Sequence, residues 1–252
     1  MPYVPLAAGR VHYAERGERR QGADARPSAL FIHGAGSAAS LWSMVLARVA
    51  RHAHAVAVDL PGHGPSEVGT GPLTLERYRD AVGGLAGTLC LGPSVLVGHS
   101  LGALVAISAA LAWPDKVRAL VLCAAAPKLT LDPEIFHLLR REPQKFVPWL
   151  ADRALSPHAK PALRKAFLAV AAPTPTEIAA ADFEIVLATD LRARMAEIAC
   201  PIIWLDGADD AIVPPAAREG RRGEVVTVPA AGHLLPIEAP AAIAEIVAGA
   251  IS

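Results

Sequence analysis

Ser100 sits in the stretch Val95-Leu96-Val97-Gly98-His99-Ser100-Leu101-Gly102-Ala103-Leu104, where an apolar run meets a Gly-x-Ser-x-Gly turn and a second apolar run begins. Read as strand, tight turn and helix, this places the serine oxygen beyond the end of a sheet. Gly98 and Gly102 suit the turn because a side chain at either position would clash as strand and helix close up. The amide of Leu101 would open the helix, where unpaired N–H groups and the helix dipole favour negative charge. A serine hydroxyl is a poor nucleophile near neutral pH and needs a base and an orienting acid. The candidate base is His233, in Ala230-Ala231-Gly232-His233-Leu234-Leu235-Pro236. The candidate acid is Asp210, in Gly207-Ala208-Asp209-Asp210-Ala211-Ile212-Val213-Pro214. Together these residues could run acyl transfer through a covalent serine intermediate.

Such groups must be carried to one place. The runs Ala29–Ile32, Ala55–Asp59, Ala119–Cys123, Pro201–Gly207 and Glu224–Val228 read as strands, and most are too apolar to have a wet face. Helices are predicted over Leu41–Arg51, Leu75–Leu89, Leu101–Trp113 and Pro240–Ile251. Their alternation implies a parallel sheet covered on both faces, with the loops of Ser100, Asp210 and His233 emerging at one end. Residues Arg10–Glu15 alternate as an edge strand would, followed by a loop rich in Gly and Arg. His33-Gly34-Ala35-Gly36 follows a buried strand, and its glycines let backbone N–H groups face a ligand. Between Pro127 and Thr189 the alternation stops, and helical segments punctuated by prolines, Pro148 among them, replace it. Thr174 or Thr176 is the expected cap of the last helix there, with Glu177 in its first turn. The expected organisation is a core domain of residues 1–126 and 190–252 with a helical cap inserted at 127–189.

Composition excludes several classes. The 252-residue chain has 24 basic and 24 acidic residues and a formal net charge of zero, with no long run of either sign. Neither nucleic acid nor an anionic membrane is an expected partner. No apolar stretch is long enough to span a bilayer. The three cysteines, Cys90, Cys123 and Cys200, are scattered in apolar surroundings and read as reduced core thiols of a cytoplasmic protein. The nine histidines make no metal-binding spacing, so no metal is expected. His52 and His54, at a strand start, are read as surface residues; His33, His63 and His99 are read as supporting loops and the serine turn.

The order Ser, Asp, His, with a glycine-framed serine after a central strand, resembles the α/β-hydrolase family. The similarity covers the His33-Gly34 turn, the loop from Asp59 to Ser66, and the Ser100, Asp210 and His233 segments. It implies an α/β fold with a mostly parallel central sheet and an inserted helical cap. It also implies Ser100 as nucleophile, His233 as general base and Asp210 as the acid that orients it. Asp209 is the rival acid; Asp210 matches the family pattern, three residues after Gly207 and four before Pro214. The backbone amides of Ala35 and Leu101 would form the oxyanion hole, and no cofactor is implied. Relatives with an aspartate there hydrolyse epoxides or haloalkanes, so a serine at position 100 argues for acyl transfer through an acyl-enzyme instead.

Cap residues Phe136, Leu139, Phe146, Trp149, Phe183 and Leu187, with Ile212 beside the acid, are candidates to line an acyl pocket. The stretch Asp182–Arg192 resembles carboxylesterases that act on pimeloyl carrier-protein methyl esters. In these, basic cap residues meet an acidic acyl carrier protein, a role open here to Arg140, Arg141, Lys145, Arg153, Arg164 and Lys165. The leading reading is a cofactor-independent serine carboxylesterase for small to medium acyl esters. Thioester, lactone or carbon–carbon bond hydrolysis, or perhydrolysis, on the same residues is the alternative, and a ligand-binding protein that has kept the fold is the remote one. The oligomeric state is not legible in the sequence.

Overall fold

The computed structural model describes residues 2–6, 9–18, 27–218 and 220–251. Its strands are β1 (Tyr3–Leu6), β2 (Gly9–Arg16), β3 (Ser28–Ile32), β4 (His54–Val58), β5 (Ser94–His99), β6 (Val117–Cys123), β7 (Ile202–Gly207) and β8 (Glu224–Val228). They form one sheet in the order β1-β2-β4-β3-β5-β6-β7-β8. β1 and β2 pair antiparallel, as do β2 and β4; from β4 to β8 every pairing is parallel. All residues of β3, β4 and β5 are buried. Their side chains divide with the two-residue period of a strand. Leu30, Ile32, Val56, Val58 and Leu96 enter one core, while Ala29, Phe31, Ala55, Ala57, Val95 and Val97 enter the other.

Helices cover both faces, as the predicted alternation requires. α1 (Ser43–Val49) and α9 (Pro240–Ile251) lie on one side, and α2 (Leu75–Thr88) and α3 (Leu101–Ala112) on the other. Thr74 caps α2, its hydroxyl accepting the Arg77 amide at 3.1 Å. The helix expected from Leu41 starts as a tighter turn over Ala39–Trp42 before becoming α1.

Several expectations need correcting. The strand at Arg10–Glu15 exists as β2 but is not the edge, because β1 pairs along its outer side. β1 has only four residues and contains Pro5, so it offers no period to read. The Gly- and Arg-rich loop after β2 lies mostly outside the described residues. His54 is buried, not on the surface, and its Nε2 meets Glu15 at 2.8 Å on the neighbouring strand. Cys90 is exposed, unlike a core thiol, whereas Cys123 is buried and its thiol pushed up by that burial.

Between β6 and β7 the chain forms α4 (Glu134–Arg141), α5 (Pro143–Ala154), α6 (Pro161–Ala171) and α7 (Thr176–Ala188). A bridge between Lys128 and Asp190 joins the two ends of this helical stretch. Pro143 and Pro161 begin helices, where a missing N–H costs nothing. Pro148 lies inside α5 and does not interrupt it. Neither threonine caps α7: Pro175 precedes it, and the Thr174 hydroxyl donates to the Gly36 carbonyl at 3.2 Å.

Candidate active site

β5 delivers Ser100 and α3 leaves from it. Ser100 has φ 53° and ψ −117°, a strained conformation for a residue with a side chain. Its amide donates to the Cys123 carbonyl at 3.0 Å, fixing the turn to β6. The flanking glycines are required by close backbone approach. A Cβ on Gly98 would lie 2.4 Å from the Gly102 carbonyl, and one on Gly102 would lie 2.2 Å from the Ile32 carbonyl. Parallel pairing of Ile32 with Gly98 also brings the loop after β3 beside the serine.

Asp210 and His233 follow β7 and β8, which pair in parallel and end together at Gly207 and Val228. A Cβ on Gly207 would meet the Gly232 carbonyl at 2.1 Å, so that glycine lets the two loops touch. His233 Nδ1–H donates to Asp210 Oδ2 at 3.1 Å, both residues being buried. Asp210 Oδ1 accepts the amides of Ile212 and Val213 at 2.8 and 3.0 Å. Burial alone would raise the Asp210 carboxyl, but the facing imidazole and these amides hold it below the ordinary carboxylate range. The rival Asp209 turns elsewhere and accepts the Ser156 hydroxyl at 2.6 Å.

Ser100, His99 and His233 line one cavity of about 40 Å3, together with Ala35, Leu131, Phe183 and Ile212. No hydrogen bond joins the Ser100 hydroxyl to another group among the described residues. Catalytic hydrogen bonds commonly tighten only when substrate is bound. Of the proposed lining residues, Phe183 and Ile212 reach this cavity. Leu139 and Phe146 instead line a separate cavity of about 70 Å3 beneath Gly36. Phe136 and Trp149 are half-buried under the guanidinium groups of Arg140 and Arg153, and Leu187 is 49% exposed. Helical periodicity marks these residues as apolar but does not say which surface they meet.

The backbone amides of Ala35 and Leu101 donate to no other group among the described residues. Ala35 follows Gly34, whose carbonyl accepts from His33 Nδ1–H at 2.9 Å. That bond holds one side of the Gly34–Ala35 peptide, so the Ala35 N–H points the opposite way. His33 Nε2 accepts the Leu60 amide at 3.1 Å, and burial lowers its pKa to about 3, keeping the ring neutral. His99 is likewise held at about 3 by burial, and its Nε2–H donates to the His233 carbonyl at 2.9 Å.

Two carboxylates escaped sequence reasoning. Glu238 accepts the amides of Gly232 and Leu234, on either side of His233, at 3.1 Å each, and that of Ser156 at 2.8 Å. Asp182, on α7, is fully buried and accepts three donors. Its signal was available: it lies among the buried Ile178, Ala179, Phe183 and Val186 of the helix, an acid on an apolar stripe.

A sequence profile of the alpha/beta hydrolase family matches residues 29–246. The chain belongs to that family. Among its relatives, the pimeloyl-[acyl-carrier protein] methyl ester esterase of Stenotrophomonas maltophilia is 30% identical over 228 residues, covering 82% of this chain and 86% of the relative. The enzyme of the same name from Pseudoalteromonas atlantica is 30% identical over 204 residues, covering 75% and 78%. Among solved structures, the enol-lactonase from Burkholderia xenovorans superposes with a TM-score of 0.85 at 26% identity, covering 99% of both chains. A hydrolase from Pseudomonas aeruginosa superposes at 0.84 and 26%, covering 100% of this chain and 98% of the other. The protein is thus a hydrolase of an esterase-type family with the expected sheet. Among its described residues, no helix is long and apolar enough to cross a membrane, and no three His, Cys, Asp or Glu side chains are grouped to hold a metal.

Proposed function

We propose that this hydrolase is a cofactor-independent serine carboxylesterase acting on small acyl esters. The observation that carries this reading is Ser100 and His233 facing one cavity, with His233 backed by the buried Asp210. Ser100 Oγ attacks the ester carbonyl carbon while His233 Nε2 takes the hydroxyl proton. Asp210 stabilises the resulting imidazolium and keeps the proton on Nδ1. The oxygen that becomes negative is received by the Ala35 and Leu101 amides, each such donor contributing about 3 kcal/mol. Collapse breaks the bond to the alcohol, which leaves with the proton from His233. Water, activated by the same imidazole, then releases the acid and restores Ser100. The segment 127–189 serves as the cap, supplying Phe183 to the acyl side. A cytoplasmic location fits the three free cysteines.

The cavity's size and lining support a small acyl substrate. At about 40 Å3 it is far below the roughly 300 Å3 or more of a site for drug-sized ligands. Apart from the histidines, no residue that lines it is titratable. The protein is therefore expected to prefer short, uncharged acyl groups. With p-nitrophenyl esters from acetate to decanoate, kcat/KM should fall at least tenfold beyond butanoate. A maximum at octanoate or longer would show that the cap opens to admit substrate. Lactones belong in the same series, since the enol-lactonase shares the whole fold and a lactone is an internal ester.

A second reading is favoured by the relatives named as pimeloyl-[acyl-carrier protein] methyl ester esterases. There the ester would arrive on an acyl carrier protein docked on the basic side of the cap. Three of the six basic residues already have acidic partners: Lys145 with Glu142, Arg153 with Asp132 and Arg164 with Asp152. Of the remaining three, Arg140, Arg141 and Lys165, the adjacent pair Arg140 and Arg141 makes the test. If a carrier docks there, reversing both to glutamate lowers kcat/KM at least tenfold on carrier-bound methyl ester and leaves p-nitrophenyl acetate unaffected. Equal rates on the carrier substrate would remove the carrier from the reading.

A further inference from the structure

The loop that carries the proposed oxyanion donor Ala35 is not held by the hydrolase core alone. Its Gly34 carbonyl is tied by His33, as described, but the next peptide is tied by the insertion. Gly36 N–H donates to Asp182 Oδ2 at 2.8 Å, and the Gly36 carbonyl accepts from Thr174 at 3.2 Å. Asp182 Oδ2 also accepts His63 Nε2–H at 2.8 Å, and Oδ1 accepts the Tyr78 hydroxyl at 2.6 Å.

A carboxylate with no exposure would be costly without partners. Here every partner is a donor, and each comes from a different core segment: the loop after β3, the loop after β4, and α2. His63 is itself cationic in this arrangement. Its Nε2 faces a carboxylate and its Nδ1 faces the Pro61 carbonyl at 3.2 Å, so both nitrogens must carry protons. Burial alone would push the imidazole down, yet Asp182 raises it overall. The other groups around it are the neutral His33 ring at 4.8 Å, the Tyr78 ring at 6.0 Å and the carboxylate of Asp59. The burial of Asp182 and His63 is thus matched by an ion pair that also holds an amide next to the oxyanion hole.

We propose that Asp182 is a positioning residue for catalysis: seating of α7 sets the Ala35–Gly36 peptide, and through it the direction of the Ala35 N–H. The oxyanion hole is completed only when the cap is docked. This inference rests on the serine-esterase reading and adds that the cap contributes to kcat, not only to the shape of the acyl pocket. Fully removing an oxyanion donor costs about 10²- to 10³-fold in kcat. Releasing its neighbour misdirects the donor without deleting it, so a smaller loss is expected.

The test compares wild type, Asp182→Asn and Asp182→Ala on p-nitrophenyl acetate, with active sites counted by fluorophosphonate labelling of Ser100. Asp182→Ala should lose about 10- to 100-fold in kcat per labelled site, with KM within about threefold. Asp182→Asn can still accept from Gly36 and His63 through its amide oxygen and should fall between the two. Affinity for a trifluoromethyl ketone, whose hemiketal oxygen occupies the oxyanion hole, should decline in parallel with kcat/KM across the three proteins. A role confined to folding would lower the unfolding temperature while leaving kcat per labelled site and ketone affinity at wild-type values, and would overturn the proposal. Should the alanine variant not fold, the asparagine variant and the ketone decide alone, and equality with wild type overturns it. A wild type that neither labels nor turns over would instead reject the serine-esterase reading.

Discussion

Ser100→Ala is expected to lower kcat on p-nitrophenyl acetate by about a millionfold, to a level set by the remaining binding groups. The change removes the proposed nucleophile and leaves the elbow itself intact. Alanine already occupies the left-handed region elsewhere in this chain, at Ala124 and Ala230, with φ 48° and 54°. The variant should therefore fold, and its circular dichroism and unfolding temperature should match wild type within a few degrees. Rates must be taken from protein free of host esterases, because contamination at one part in a million would mask the effect. Labelling by a fluorophosphonate should disappear with the hydroxyl. A variant that still turns over by more than about a hundredth of the wild-type rate would move the nucleophile away from Ser100.

Asp210→Asn should cost about 10⁴-fold in kcat, by the mechanism known for triads of this type. The two oxygens of Asp210 have separate tasks. Oδ1 accepts the amides of Ile212 and Val213, while Oδ2 accepts His233 Nδ1–H. An asparagine keeps its carbonyl oxygen on the two amides and so turns its NH2 toward His233. The imidazole then accepts at Nδ1 and carries its proton on Nε2, where the base must be free. Asp209→Asn should change kcat less than about threefold, since the bond from Ser156 to Asp209 does not involve His233. The pair of variants separates the two adjacent acids cleanly. A larger loss at position 209 than at 210 would reverse their roles.

The core of this reading was legible because it depends on local rules. A strand buried on both faces must be largely apolar, which picks out the centres of β3 to β7 from composition. A backbone crossing as close as that of Gly102 and Ile32 tolerates no Cβ, so the glycines flanking Ser100 report the turn directly. The chain order of Ser100, Asp210 and His233 then assigned each to a loop at one end of a parallel sheet, and β5, β7 and β8 carry them there. The helical stretch between β6 and β7 was visible as the place where strands stop.

What the chain alone could not decide was which buried surface meets which. Periodicity identifies an apolar face but not its partner, so Phe183 and Ile212 reach the cavity with Ser100 while Leu139 and Phe146 pack beside Gly36. The residues that hold the site come from far along the chain: Asp182 lies 146 residues from Gly36 and 119 from His63. A carboxylate in an apolar helix can be noticed in the sequence, but its partners are chosen by how α7 packs against α3 and α4. Chemistry close in sequence is set by steric rules that each residue carries with it; the pairing of distant charges is set by packing, and exists only once the chain has folded.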